Sequence, residues 1–302
     1  MVKTLVTGSL QASEEDLARL TQLGLDITYH KDERVPVENA AQYEIVVGNS
    51  VFYYQDCAPF TSLKFMQMTS AGYDRIPVER LKAQGVILRN ADGVYSPPMA
   101  EWTLMRILEL TKHAKSTLEA QQQGVYKKDW KWGELVGKKA LIVGFGAYGR
   151  AIAKRLAAFD AAITIVNRTV RSCPEAEHFY GLDHLEEEIP KADYVILAIA
   201  LNEETRHLFD RDMLARIKPG AFLINAARGA LIDEAALIEA LSSGQLAAAA
   251  LDVYEKEPLS ADSPLWKLDN VLLSQHNSFV GDGNHARMMD LVIRNLKEYL
   301  NR

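Results

Sequence analysis

Cysteine is nearly missing from this sequence. Only Cys57 and Cys173 occur in 302 residues, far apart and in no CxxC arrangement. Two such residues read as reduced structural thiols of a cytoplasmic protein rather than a disulfide framework. Long apolar runs are missing too. None reaches the roughly 18 residues that suggest a membrane span. The first residues, "MVKTLVTGSL", hold no long apolar stretch and no small-residue cleavage site, so no signal peptide is expected. Positive charge is in deficit: 34 Lys and Arg stand against 40 Asp and Glu, a net charge of −6. That balance argues against a nucleic-acid partner, because no basic excess exists to displace counterions from phosphates. Six of the histidines, at 30, 113, 178, 184, 207 and 285, show no paired metal-ligand spacing. They read as solvated or structural, and no metal is expected. There is no low-complexity segment and no repeat at a fixed period.

What remains is the composition of a soluble globular protein, 48% apolar and 25% charged, long enough for two domains with real cores. The first 90 residues alternate strand-like and helix-like pieces. "KTLVTG", "LDITYH", "YEIVVGN", "LKFMQMTSAG" and "GVILRN" read as strands. "SEEDLARLTQLG" reads as a helix, with Ser13 as cap, Asp16 completing a capping box and Gly24 at the end. Prolines 97 and 98 suit a helix start and Gly124 its end, which predicts one long helix between them. "VYKKDWKWGELVG" is irregular. A second alternating series follows: "KALIVGFG", "AITIVNR", "DYVILAIA", "AFLINAARG", "LAAAALDV" and "NVLLSQH", with helices such as "YGRAIAKRLAAF" and "DEAALIEALSSG" between them. Strands alternating with helices imply parallel sheets covered on both faces, an α/β fold. At the end, Met289, Val292, Ile293, Leu296 and Leu300 form an apolar stripe at helical spacing.

"LIVGFGAYGR" places Gly144, Gly146 and Gly149 in G-x-G-x-x-G spacing, after an apolar strand and before a helix. Gly144 permits the tight turn, Gly146 lets a pyrophosphate approach the backbone, and Gly149 allows close helix–strand contact. Ala147 and Tyr148 open the helix whose N-terminus would face the phosphates. About 20 residues on, such a fold usually carries an acidic residue for the ribose of NAD. Here the strand "AITIV" ends instead at Asn167, followed by Arg168, Thr169 and, nearby, Arg171. The missing carboxylate and the added guanidinium favour NADP, with NAD binding through Asn167 as the alternative.

"TSAGYDRI", "MAEWTL", "GFGAYGR", "EETRHLF", "IKPGAFLINAARG", "ALDVYEKEPL", "SPLW" and the late histidine together resemble the D-isomer-specific 2-hydroxyacid dehydrogenase family over nearly the whole chain. The resemblance is to a short, glyoxylate/hydroxypyruvate reductase-like form without the C-terminal regulatory domain of long phosphoglycerate dehydrogenases. It implies a Rossmann-type nucleotide-binding domain, residues 96–276, inserted into a smaller flavodoxin-like substrate-binding domain, residues 1–95 and 277–302. It implies a catalytic set of Arg228, Glu257 and His276. Glu255 is a nearby rival, but the match favours the position before Pro258. His276 would protonate the forming alkoxide, Glu257 would steady its ring, and Arg228 would bind the substrate carboxylate and polarise the carbonyl. The backbone of Ala71 and Gly72 would hold the carboxylate beside Arg228, with Asn49 and Ser50 near the substrate tail. Asp252 matches a position that contacts the nicotinamide, and Ala200 and Ala226 lie on the cofactor side. The implied partners are a small 2-oxo acid and a second copy of the chain, in a homodimer built on the helix near residue 100 and the loop after it. A 3-phosphoglycerate dehydrogenase and a nicotinamide-bound corepressor scaffold remain alternatives. The chain departs from the pattern at Ala200 and Asn202, where Pro and Thr are usual, and at Asn277, Ser278 and Phe279, where small residues are usual. Asn277 or Ser278 is thereby expected to touch the substrate or tune the histidine.

Overall fold

The structure, a computed structural model, describes residues 1–126 and 128–301. Lys127, within the stretch expected to be irregular, and Arg302 lie outside the described residues. The chain divides into two compact units: Met1–Tyr95 with Gly281–Arg302, and Ser96–Val280. The second crossing therefore falls after Val280, not after residue 276. The reason is local. The N–H groups of Asn277 and Ser278 are held by Asp252, which keeps this turn with the second unit.

In the first unit, β1 (Val2–Thr7), β2 (Leu25–His30), β3 (Ile45–Gly48), β4 (Phe65–Met68) and β5 (Ile87–Arg89) form an all-parallel sheet in the order β2-β1-β3-β4-β5. That is the flavodoxin-like order. Alternate residues of each strand enter opposite cores. Leu5, Val46, Met66 and Met68 pack on one face, and Val6, Ile45, Val47 and Phe65 on the other. The second face is covered by the helix Asn284–Leu300, through Met288, Met289, Leu291, Val292 and Leu296. This is why the end of the chain returns to the first unit. Polar pins fix the helix: His285 Nε2 to Asp16 Oδ2 at 2.8 Å, Asn295 Nδ2 donating to Gln67 Oε1 at 2.7 Å, and Tyr299 donating to Glu44 at 2.7 Å. The helix Glu14–Thr21 carries the capping box expected of Ser13 and Asp16.

In the second unit, β6 (Lys139–Val143), β7 (Ala162–Asn167), β8 (His178–Gly181), β9 (Tyr194–Leu197), β10 (Phe222–Asn225), β11 (Ala248–Leu251) and β12 (Val271–Leu273) are parallel, ordered β12-β11-β10-β9-β6-β7-β8. This is the doubly wound dinucleotide order with one added edge strand. The same two-residue period divides the core: Leu141, Val143, Val195 and Leu197 face one layer, Ala140, Ile142, Tyr194 and Ile196 the other.

Two expectations need correction. β8 was not visible as a strand. It is a four-residue edge strand paired only with β7. The single long helix is two, Ser96–Thr111 and Ala114–Gln122, broken at His113, whose φ is 50°. A distant loop makes the break. Gly133 donates to the Thr111 carbonyl at 3.0 Å, Lys112 Nζ donates to the Gly133 carbonyl at 2.7 Å, and His113 Nδ1 lies 2.7 Å from Asp129.

Candidate active site

Open α/β sheets bind ligands outside the carboxyl ends of their strands, at the point where strand order reverses. In the second unit that point lies between β6 and β9. β6 runs into the glycine loop. Gly144 has φ +102°, and a Cβ there would come within 2.5 Å of the Ala198 backbone. A Cβ on Gly149 would sit 2.3 Å from the Gly144 carbonyl oxygen, so these two positions accept only glycine without rearrangement. Gly146 differs: a Cβ there would meet nothing within 4 Å. Gly146 also caps the helix Ala147–Ala157 without any side-chain acceptor for the first-turn N–H groups. Open space over unsatisfied donors at a helix N-terminus fits a pyrophosphate.

Two of the expected cofactor contacts are modified. The Tyr148 hydroxyl pairs with Thr103 Oγ1 at 2.7 Å, and burial raises its pKa. Its ring belongs to helix–helix packing, which leaves Ala147 and the Tyr148 backbone at the loop. Asn167, at the end of β7, accepts the Phe145 N–H at 3.1 Å and donates to the Thr169 carbonyl at 2.9 Å. It therefore braces the phosphate loop from the neighbouring strand. Arg168 meets Glu204 at 2.9 Å, both side chains largely exposed at 66% and 79%. The unusual residues after β9 have a local reason. Asn202 Oδ1 accepts the N–H groups of Glu204 and Thr205 at 2.9 and 3.0 Å, and the Thr205 hydroxyl donates to the Ala200 carbonyl at 2.8 Å.

The same edge continues over β10, β11 and β12, where Asn225, Leu251 and Leu273 stand side by side in register. Arg228 follows β10, after buried Ala226 and Ala227, and one of its Nη atoms donates to the Ala227 carbonyl at 2.8 Å. His276 follows β12 at φ 49°, with its N–H on the Asp252 carbonyl at 2.8 Å. Its Nδ1 lies 2.7 Å from Glu257 Oε2, while Glu257 Oε1 accepts the Tyr254 N–H at 3.1 Å. Glu255 is paired elsewhere, with His207 Nε2 at 2.6 Å. A cavity of about 420 Å³ opens beside His276 and Glu257, bounded also by Pro258, Leu259 and Trp266.

Asp252, the residue expected at the nicotinamide, is tied into the histidine turn. It is fully buried, at 0% exposure. Its Oδ1 accepts the Ser274 hydroxyl at 2.6 Å and the Asn277 N–H at 3.0 Å, and its Oδ2 accepts the Ser278 N–H at 2.9 Å. With its own carbonyl on His276, Asp252 binds three successive backbone donors and fixes the histidine turn. Ser278 is buried, so its side chain does not reach outward. Phe279 sets its ring edge-on to His276, centroids 6.1 Å apart.

In the first unit the loops after β3 and β4 carry the expected substrate residues. The N–H groups of Asn49 and Ser50 are taken by Glu33, at 2.7 and 2.8 Å, and Ser50 is only 4% exposed. Among the described residues, the N–H groups of Ala71 and Gly72 have no protein acceptor. This pair is open to an anion.

The profile of the D-isomer specific 2-hydroxyacid dehydrogenase NAD binding domain matches residues 104–278, more than half of the chain. The chain belongs to this family. It is 37% identical over 251 residues to a glyoxylate reductase of Thermofilum pendens, covering 80% of this chain and 72% of that protein. It is 35% identical over 248 residues to a glyoxylate/hydroxypyruvate reductase B of Klebsiella pneumoniae, covering 79% and 76%. The structure of an NADPH-dependent glyoxylate/hydroxypyruvate reductase from Sinorhizobium meliloti, in complex with citrate, superposes with a TM-score of 0.80 at 26% identity, covering 99% of this chain and 95% of that one. The protein is thus an oxidoreductase with a nicotinamide cofactor.

Three supporting residues of this dehydrogenase carry little sequence signal. Ser274 holds Asp252. Tyr254 donates to the Ser274 carbonyl at 2.6 Å, and burial pushes its phenol up to about 12, which keeps it a donor. Glu33 lies in a loop distant in sequence from the amides it binds. Only the position of Ser274, two residues before the histidine, offered a hint.

Proposed function

We propose that this dehydrogenase reduces small 2-oxo acids, glyoxylate and hydroxypyruvate among them, to D-2-hydroxy acids, and that it prefers NADPH. The carrying observation is the His276 imidazole held through Nδ1 by Glu257 at the sheet edge that also bears Arg228. With Nδ1 on a carboxylate, Nε2 is the atom left to give a proton. A reduced nicotinamide supplies the hydride in this chemistry. His276 protonates the carbonyl oxygen as the carbon is reduced, so one hydride and one proton convert C=O to CH–OH. Glu257 stabilises the imidazolium before the transfer. Arg228 pairs with the substrate carboxylate. In the oxidative direction His276 takes the hydroxyl proton. Following NADPH and NADH absorbance against a panel of 2-oxo acids tests the proposal. Consumption with glyoxylate or hydroxypyruvate is expected; tight nucleotide binding with no consumption by any acid would defeat it.

The preference for NADPH is supported at Arg168. Its ion pair with Glu204 is exposed, and such pairs contribute only about 0–1 kcal/mol, so a phosphate can displace the carboxylate. Glu204→Gln is expected to lower the KM for NADPH. Asn167→Asp retains an acceptor for the Phe145 N–H but sets a negative charge where a 2′-phosphate would lie. It should move the NADPH/NADH ratio of kcat/KM toward NADH by about tenfold. An unmoved ratio in both variants would remove this reading.

We also propose a homodimer. Tyr126, Trp130 and Trp132 are 95%, 85% and 50% exposed beside the helix Ala114–Gln122. Exposed aromatics of this kind are enriched where subunits meet. Light scattering is expected to give the mass of two chains, and Trp130→Asp the mass of one. A monomeric parent protein would refute it. The unpaired thiols of Cys57 and Cys173 support a reducing, cytoplasmic location.

A further inference from the structure

We propose that Arg75 sets the substrate preference of this dehydrogenase by binding a second carboxylate on the tail of a 2-oxo acid; the inference deepens the reductase reading above and rests on it. The backbone of the loop after β3 has little left to offer a substrate directly. Glu33 occupies the N–H groups of Asn49 and Ser50 and also accepts the Thr7 hydroxyl at 2.6 Å. Ser50 is buried, and its hydroxyl accepts from Arg75 Nη1 at 3.0 Å. What Ser50 holds in place is therefore the exposed Arg75 guanidinium.

Arg75 belongs to the loop after β4, the same loop that carries the open amides of Ala71 and Gly72, and β4 lies next to β3. The Arg75–Ser50 bond ties the two loops together. The residue is exposed, and among the described residues no carboxylate lies within ion-pair distance of it. A guanidinium has five N–H donors in a planar fork. One bond to Ser50 leaves enough of that fork for a two-pronged contact with a carboxylate. Two other arginines of this unit are answered by carboxylates. Arg80 meets Asp56 at 2.7 Å and Arg34 meets Asp32 at 2.8 Å. Arg75 meets a neutral, buried hydroxyl instead, an arrangement that orients the cation without neutralising it. A single oriented guanidinium matches a monoanionic carboxylate, which gives the substrate class: 2-oxo acids with a second carboxyl group a few bonds from the first.

The test compares kcat/KM for oxaloacetate and glyoxylate, with NADPH, in the parent protein, Arg75→Met and Arg75→Lys. The parent is expected to favour oxaloacetate. In Arg75→Met the oxaloacetate/glyoxylate ratio should fall roughly ten- to a hundredfold through KM, and Arg75→Lys should recover part of it. An unchanged ratio, or an Arg75 dependence seen with a phosphorylated 2-oxo acid and not with oxaloacetate, overturns the proposal. Calorimetric titration with malonate, which cannot react, separates this inference from the reductase reading. If no acid is turned over, that reading fails, yet weaker malonate binding in Arg75→Met still supports the role of Arg75. Equal malonate binding in both proteins overturns that role.

Discussion

Replacing His276 by glutamine is expected to lower kcat by roughly two to four orders of magnitude while leaving NADPH affinity within about twofold. Glutamine can still reach toward Glu257, but its amide cannot carry a proton to a forming alkoxide. The loss is therefore in the chemical step. Nucleotide affinity is spared because the phosphate loop follows β6, while His276 follows β12, with β11, β10 and β9 between them. Glu257→Gln provides the graded companion. It preserves the shape of a side chain 2.7 Å from Nδ1 and removes the charge, so its loss should be smaller than that of His276→Gln. Steady-state rates with saturating 2-oxo acid, paired with a fluorescence titration of NADPH, read both quantities. A parent-like kcat in His276→Gln would dismiss the histidine as the proton donor. A loss of nucleotide binding equal to the loss of rate would mean that the change had damaged the fold.

β1, β3, β4, β6, β9, β10 and β11 were legible because parallel strands buried on two faces read as short continuous apolar runs. β8 escaped for the converse reason: its burial pattern, from exposed to half-buried, leaves no such run. The capping box at Ser13 and Asp16 was legible because both partners are side chains three residues apart. The break at His113 was not, since it depends on Asp129 and Gly133, which contact it only in the folded chain. The same division holds at the site. Gly144, Gly146 and Gly149 announce themselves by spacing, and Glu257 by the proline that follows it. The inward turn of Ser50, the grip of Glu33 on two amides and the exposure of Arg75 involve backbone donors and distant loops, which leave no pattern in a single sequence.

Asp252→Asn should be the most damaging single-atom exchange away from the histidine itself. In the native turn two carboxylate oxygens accept three donors: the Ser274 hydroxyl and the Asn277 and Ser278 N–H groups. An asparagine keeps one acceptor and points an NH2 group at a neighbouring donor. The site is closed to water, since Asp252 is 0% and Ser278 4% exposed. A buried donor left unsatisfied costs about 1–3 kcal/mol. With one N–H orphaned and one donor–donor contact created, urea unfolding should show a loss of about 2–4 kcal/mol, a large share of the roughly 5–15 kcal/mol that holds a typical domain together. The rate should suffer as well. His276 sits at φ 49°, a left-handed conformation that persists only where neighbouring bonds impose it. Once the two N–H groups after it lose their anchor, the ring is no longer held against Glu257, and kcat should fall at least about tenfold beyond what instability explains. Hydrogen exchange at Asn277 and Ser278 distinguishes the two effects, because faster exchange there under conditions where the rest of the unit is protected reports the turn alone. A variant with the parent's unfolding midpoint, exchange rates and kcat would show that the turn holds its shape without Asp252.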